Sequence, residues 1–343
     1  MAPLVRACQR RGVEFFLIHT GQHYSYEMDR VFFQDLELPE PRYNLNVGSG
    51  THGRQTGAIL TATEKVLMEE RPDAILVQGD TNTVLAGALA AAKLNIPIGH
   101  VEAGLRSYDR QMPEEVNRVL ADHISDMLFA PTDVSRQNLL REGIDPAKVH
   151  VVGNTVVDAL LQNMDISKRR GKALKELGLR PKGYLLGTLH RQENVDDPLR
   201  LRGLVEGLVS CAREFQMPVV LPLHPRTRKN LSNFNIVVPD EVRLIEPVGY
   251  LDFLQLEANA ALMLTDSGGV QEEACILHVP CVTLRDSTER PETVMVGGNV
   301  LVGADPERIL EGARDMFGRD RDWTCPLGDG EAADRILDIV LSG

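Results

Sequence analysis

The chain has 343 residues, 43% of them hydrophobic and 25% charged, a balance that excludes a disordered polypeptide and suits about two domains. A formal net charge of -12, no basic run and only 5% aromatics exclude nucleic acid as an expected partner, because phosphate-backbone binding needs clustered Lys and Arg. No stretch approaches the ~20 apolar residues of a membrane span, and MAPLVRACQRRG lacks a signal-peptide core, so a soluble, cytoplasmic protein without membrane association is expected.

Short apolar runs rich in β-branched residues alternate with amphipathic stretches along the whole chain. In chain order the first series is VEFFLIH (13–19), AILVQ (74–78), PIGHV (97–101), MLFAP (127–131) and VHVVG (149–153). A charge-rich helical stretch, VVDALLQNMDISKRRGKALKELGLRPKG, then separates it from a second series. That series is YLLGTLH (184–190), PVVLPLH (218–224), VRLIEP (242–247), ALMLTD (261–266), PCVTLR (280–285) and NVLVG (299–303). Unbroken apolar runs separated by helical periodicity predict parallel sheets buried on both faces. The fold expected is α/β: two doubly wound, Rossmann-like domains facing a central cleft, in the manner of the glycosyltransferase-B fold. Their expected bounds are 1–160 with the terminal helix 331–343 crossing back onto the first domain, and 161–330 for the second. The five cysteines, Cys8, Cys211, Cys275, Cys281 and Cys325, are scattered and never form C-x-x-C, which predicts buried apolar residues and no metal site.

In such sheets ligands bind outside the carboxyl ends of the strands. The residues there are Gly79-Asp80-Thr81, Glu102, His190-Arg191, His224-Pro225 and Asp266-Ser267-Gly268-Gly269. TDSGGVQEEA (265–274) places a Ser-Gly-Gly turn where a strand hands over to a helix. Bare N–H groups and the positive end of the helix dipole suit an anion such as phosphate there, and an ordinary N-cap by Ser267 is the other reading. Asp80 reads equally as a helix cap. Glu114 and Glu115, after Pro113, read as first-turn acids or as chemistry. Asp122-His123 reads as packing and a solvated helix face.

Taken together, GDTNTVLAGALAA, HVEAGLRS, MPEEVNR, LHRQEN, TDSGGVQEEA and TERPE stand in the order found in the non-hydrolysing UDP-N-acetylglucosamine 2-epimerases, and the chain resembles that family over nearly its whole length. The resemblance implies a UDP-sugar substrate, UDP-GlcNAc, with no cofactor and a homodimer. It implies catalytic roles for Asp80, Glu102, Glu114 and His190. The UDP-sugar contacts it implies are Asn117 and Arg118 at the sugar phosphate, Ser267, Gly268 and Gly269 at the diphosphate, Glu273 at the ribose hydroxyls and Phe253, through its backbone, at uracil. A second UDP-GlcNAc as activator would use Gln22, Arg191 and His224, although GTLHRQENVDDP differs from the family's usual double-arginine form. The family's first strand and a loop near G-T-R-P-E-x-x-K come immediately before M-A-P, where this sequence starts, so a mis-assigned start or a shortened chain is expected.

The implied reaction explains the carboxylates. The C2 hydrogen of the sugar is not next to a carbonyl, so its removal requires UDP to leave C1 at about the same time. Proton transfer on two faces of the resulting glycal then needs separate acid and base groups, at least one holding a proton near neutrality. The other readings are a glycosyltransferase of the same architecture and a non-catalytic UDP-sugar-binding protein.

Overall fold

The computed structural model describes residues 1–22, 33–288 and 290–342. The chain divides into two compact units, Met1–Gln162 with Leu327–Gly343, and Asn163–Pro326. All described strand pairs are parallel, as the unbroken apolar runs predict.

In the first unit, β1 (Ile18–His19) pairs with β2 (Tyr43–Asn44), apart from a four-stranded sheet of order β3-β4-β5-β6. These four strands are Ile75–Gln78, Ile98–Val101, Met127–Ala130 and Val149–Val151. The expected strand over 13–19 is only its last two residues, because the preceding ones find no ladder partner among the described strands; β2 went unrecognised. Buried Leu4, Ala7 and Cys8 of helix Ala2–Arg11 pack with Ala333, Ile336 and Leu337 of helix Ala332–Ser342. Arg11 pairs with Asp334 and Asp338 at 2.9 and 2.6 Å along the rim of that contact.

The second unit is a six-stranded sheet of order β12-β11-β10-β7-β8-β9. In chain order its strands are β7 Leu185–Thr188, β8 Val219–Pro222, β9 Val242–Ile245, β10 Leu262–Thr265, β11 Cys281–Thr283 and β12 Asn299–Leu301. Successive residues of one strand serve opposite faces. Leu185, Val219, Leu221, Leu262, Leu264 and Val282 enter one core, while Leu186, Val220, Met263 and Cys281 enter the other. Four cysteines are buried and Cys325 is partly so, all free. Among the described residues no helix is long and apolar enough to cross a membrane.

Register decides which polar residues emerge together. Gln78 lies opposite Val101, so Gly79-Asp80 and Glu102 leave neighbouring strands side by side. Thr188 lies opposite Thr265, so His190-Arg191 and Asp266-Ser267 do the same in the second unit.

Candidate active site

In the first unit Gly79, at φ 83°, turns the chain out of β3. The next residue, Asp80, is half-buried and paired with Arg118. Its carbonyl accepts from Asn117 Nδ2 at 3.0 Å, so Asn117 and Arg118 of helix Pro113–Ile124 fix both ends of Asp80. Glu102 follows β4 at φ 68°, a conformation unusual outside glycine and common at functional sites. Its Oε1 accepts from Gln78 Nε2 at 2.6 Å. Glu114 is exposed and lines a cavity of about 210 Å³ with Asn82, Asn117, His52, Gln55 and Gln22. The cavity wall is tied together by Asn82, whose amide donates to Gln55 Oε1 at 2.8 Å, and by Gln22 Oε1, which accepts from Thr83 N at 3.1 Å. His52 and Gln55 carry no motif signal of their own, and Asn82, although it stands within GDTNT, is brought to this cavity only by the fold.

Glu115 has a different fate from its neighbour. It is 3% exposed, and its carboxylate accepts from Ser107 N, Ser107 Oγ, Tyr108 N and Arg118 Nη1 at 2.9–3.0 Å. Burial alone would favour its neutral form; these donors outweigh burial and hold the carboxyl below the ordinary glutamate range. Glu115 therefore secures Arg118, and Arg118 secures Asp80.

The expectation for Asp122 is corrected. Instead of a solvated face it presents a carboxylate that is 1% exposed, bound by His100 Nδ1 at 2.6 Å, Arg106 Nη2 at 2.7 Å and Gly104 N at 3.2 Å. A charge buried to that degree is tolerated because it is paired and hydrogen-bonded. His100 continues the network to the Gly79 carbonyl at 2.8 Å, which links this hub to the turn carrying Asp80. Gly104, at φ 79°, admits no side chain, since a Cβ would lie 2.3 Å from the Ser135 carbonyl oxygen.

In the second unit the organising group is Asp266, fully buried at the end of β10. It accepts from the backbone N–H groups of His190 and Arg191 at 3.0 Å each, from Asn194 Nδ2 at 3.3 Å and from His190 Nδ1 at 2.7 Å. Four donors on one carboxylate mean that His190 Nδ1 carries a proton, and its Nε2 is the nitrogen left for other work. The His224 ring centroid is 6.3 Å from that of His190. His224 itself caps helix Pro225–Asn233, accepting from Arg226 N at 3.2 Å. Arg191 is half-buried and donates from Nε to the Asp266 carbonyl at 3.3 Å.

Ser267 caps helix Gly268–Ile276 through a long bond, Val270 N to Oγ at 3.4 Å. Gly268 is buried and Gly269 exposed. A Cβ on Gly269 would meet nothing within 4 Å, so neither packing nor backbone within the chain demands glycine there. Close approach by a bound group is a physical reason for one. One turn on, Glu273 lies near Tyr250, whose hydroxyl is 3.4 Å from Oε1. Burial pushes the Glu273 carboxyl up to about 7. Phe253, in helix Tyr250–Asn259, packs its side chain against the second core, and its N–H donates to the Gly249 carbonyl at 2.9 Å. Thr288 and Arg290 of the TERPE stretch are described, and Glu289 lies outside the described residues, as does His23 of HTGQH.

Comparison with known proteins gives these residues a context. The family model for UDP-N-acetylglucosamine 2-epimerase matches residues 6–341. The UDP-N-acetylglucosamine 2-epimerase of Methanocaldococcus jannaschii is 53% identical over 349 aligned positions, covering 100% of this chain and 95% of the relative. A crystal structure of that archaeon's enzyme in complex with UDP-GlcNAc and UDP superposes with a TM-score of 0.82 at 53% identity, covering 100% of this chain and 96% of that one. The UDP-2,3-diacetamido-2,3-dideoxy-D-glucuronate 2-epimerase of Pseudomonas aeruginosa is 46% identical, covering 97% of this chain and 92% of the relative. The chain belongs to the UDP-N-acetylglucosamine 2-epimerase family.

Proposed function

We propose that the chain interconverts UDP-GlcNAc and UDP-ManNAc by eliminating UDP and adding it back across a 2-acetamidoglucal. The observation that carries the reading is the pair of carboxylates, Asp80 and Glu102, leaving adjacent strands of one sheet, in a chain of this family. Asp80, Glu102 and Glu114 handle the C2 proton on the two faces of the sugar. Asn117 and Arg118 hold the sugar phosphate. Ser267, Gly268 and Gly269 offer donors to the diphosphate whose departure must accompany proton loss. Glu273 accepts from the ribose hydroxyls, and the Phe253 backbone, through its carbonyl side, meets uracil. His190, with Nδ1 committed to Asp266, works through Nε2 on the leaving diphosphate. Gln22, Arg191 and His224 are the proposed contacts of a second, activating UDP-GlcNAc, and the working form is a cytoplasmic homodimer.

The test is proton NMR of UDP-GlcNAc incubated with the purified chain. Growth of UDP-ManNAc to a fixed ratio, reached from either side, supports the reading; free ManNAc or no change refutes it. A second reading, another UDP-2-acetamido sugar as preferred substrate, is favoured by the Pseudomonas relative. Faster epimerisation of the diacetamido uronate would establish it.

A further inference from the structure

Helix Tyr250–Asn259 carries an anomaly. Glu257 is 0% exposed, and both of its carboxyl oxygens are buried without a hydrogen-bond donor or acceptor in bonding geometry. A buried carboxylate left so would be strongly disfavoured, so the group is held as the neutral acid. The ionisable group it acts on most strongly is Glu273, on the helix whose first turn is Ser267-Gly268-Gly269. The Tyr250 hydroxyl also donates to Glu273 Oε1, at 3.4 Å. Glu272 also bears on Glu273 but is engaged by Arg290 Nε at 2.6 Å, and the fully buried Cys281 thiol is raised by burial and also by Glu257.

We propose that Glu257 is a positioning residue: as a neutral carboxyl it donates to Glu273 and holds that carboxylate ready for the 2′- and 3′-hydroxyls of a uridine ribose. The inference rests on the reading of Glu273 as the ribose acceptor and adds the group that prepares it. A lone carboxylate in this position would be disfavoured by burial, and a proton shared from Glu257 offsets that by hydrogen-bonding to the charged form. Burial carries the Glu257 carboxyl well above the ordinary range and Glu273 to about 7, so ribose recognition switches on as pH rises through neutrality.

The measurement is calorimetric titration of the full chain with UDP and with 2′,3′-dideoxy-UDP at several pH values from 6 to 8.5. The ratio of the two dissociation constants isolates the ribose contact from the phosphates, which are common to both. In the wild-type chain the ratio should climb with pH through a midpoint near 7. Glu257→Gln, which retains a donor, should keep that profile. Glu257→Leu should move the midpoint upward and lower the ratio at pH 7 roughly three- to tenfold, while dideoxy-UDP binding stays as in wild type. Glu257→Leu with an unaltered ratio and midpoint, whatever its Tm, would overturn the proposal, as would a wild-type ratio above one that does not vary with pH. A wild-type ratio of one at every pH would refute the ribose role of Glu273 itself, and this inference with it.

Discussion

Glu114 and Glu115 are neighbours in sequence with opposite physical situations, and replacing each by glutamine should separate chemistry from architecture. Glu115 is 3% exposed and is bound by four donors, one of them the Arg118 guanidinium. The amide keeps one acceptor oxygen, turns an NH2 toward groups that are themselves donors, and leaves Arg118 without a counter-charge. Hydrogen bonds to a charged group contribute about 1.5–3 kcal/mol each, and loss of a buried ion-pair partner costs about 3–5 kcal/mol, so a loss of about 2–4 kcal/mol is expected after relaxation. For a unit of this size that lowers Tm by roughly 5–15 °C. The sign with pH follows from a carboxyl whose folded value is depressed. Its contribution is complete above the ordinary glutamate value of 4.5 and is lost as pH falls through its depressed folded value, so the Tm gap between wild type and Glu115→Gln should narrow in acid. Glu114→Gln, on an exposed side chain, should leave Tm within about 1 °C, as surface substitutions do, and lower turnover. Melts followed by circular dichroism at pH 7.5 and pH 4, alongside epimerisation rates, decide the matter. Equal Tm values for wild type and Glu115→Gln at pH 7.5 would refute the reasoning.

Three further outcomes follow from the same geometry. Asp80→Asn or Glu102→Gln should reduce kcat by about 10²-fold or more while calorimetric UDP affinity persists, since each loses a proton-transfer group and little packing; a variant with near-normal kcat would return that residue to a capping role. Asp266→Asn should lower kcat by about 10²-fold through the His190 tautomer, and adding His190→Ala should cost little more, because residues of one network do not act independently; multiplicative losses in the double variant would show that Asp266 does not act through His190. Ser267→Ala loses only a long cap bond, expected to lower stability by about 0.5–1 kcal/mol, so UDP affinity should fall more than Tm does; a lower Tm with unaltered UDP affinity would leave Ser267 a plain N-cap.

What the sequence revealed of this arrangement depended on how local each feature was. The strands β7 and β10 were legible because their apolar runs are unbroken, and the polar residues that follow them were found by reading where each run stops. Two-residue strands such as Tyr43–Asn44 leave no such run. Asp122 was misread because helical periodicity reports a face of the helix and not what another element brings to it. Its partners His100 and Arg106 lie 22 and 16 positions earlier. Asp266 stood inside a recognised motif, yet its role is visible only once the register of β7 against β10 sets His190 beside it. Glu257, in YLDFLQLEAN, reads as one acid on an amphipathic helix, and nothing local to it announces complete burial beside Glu273.

The central claim is that these residues move the C2 proton of a UDP-sugar while UDP leaves and returns. Its most direct test is epimerisation of UDP-GlcNAc in heavy water, with C2 read by NMR and mass spectrometry. An elimination with protonation from groups in exchange with solvent predicts one deuterium at C2 of the UDP-ManNAc formed, with free UDP and 2-acetamidoglucal detectable in small amount at long times. UDP-ManNAc formed at the same rate with protium retained at C2 would contradict the account.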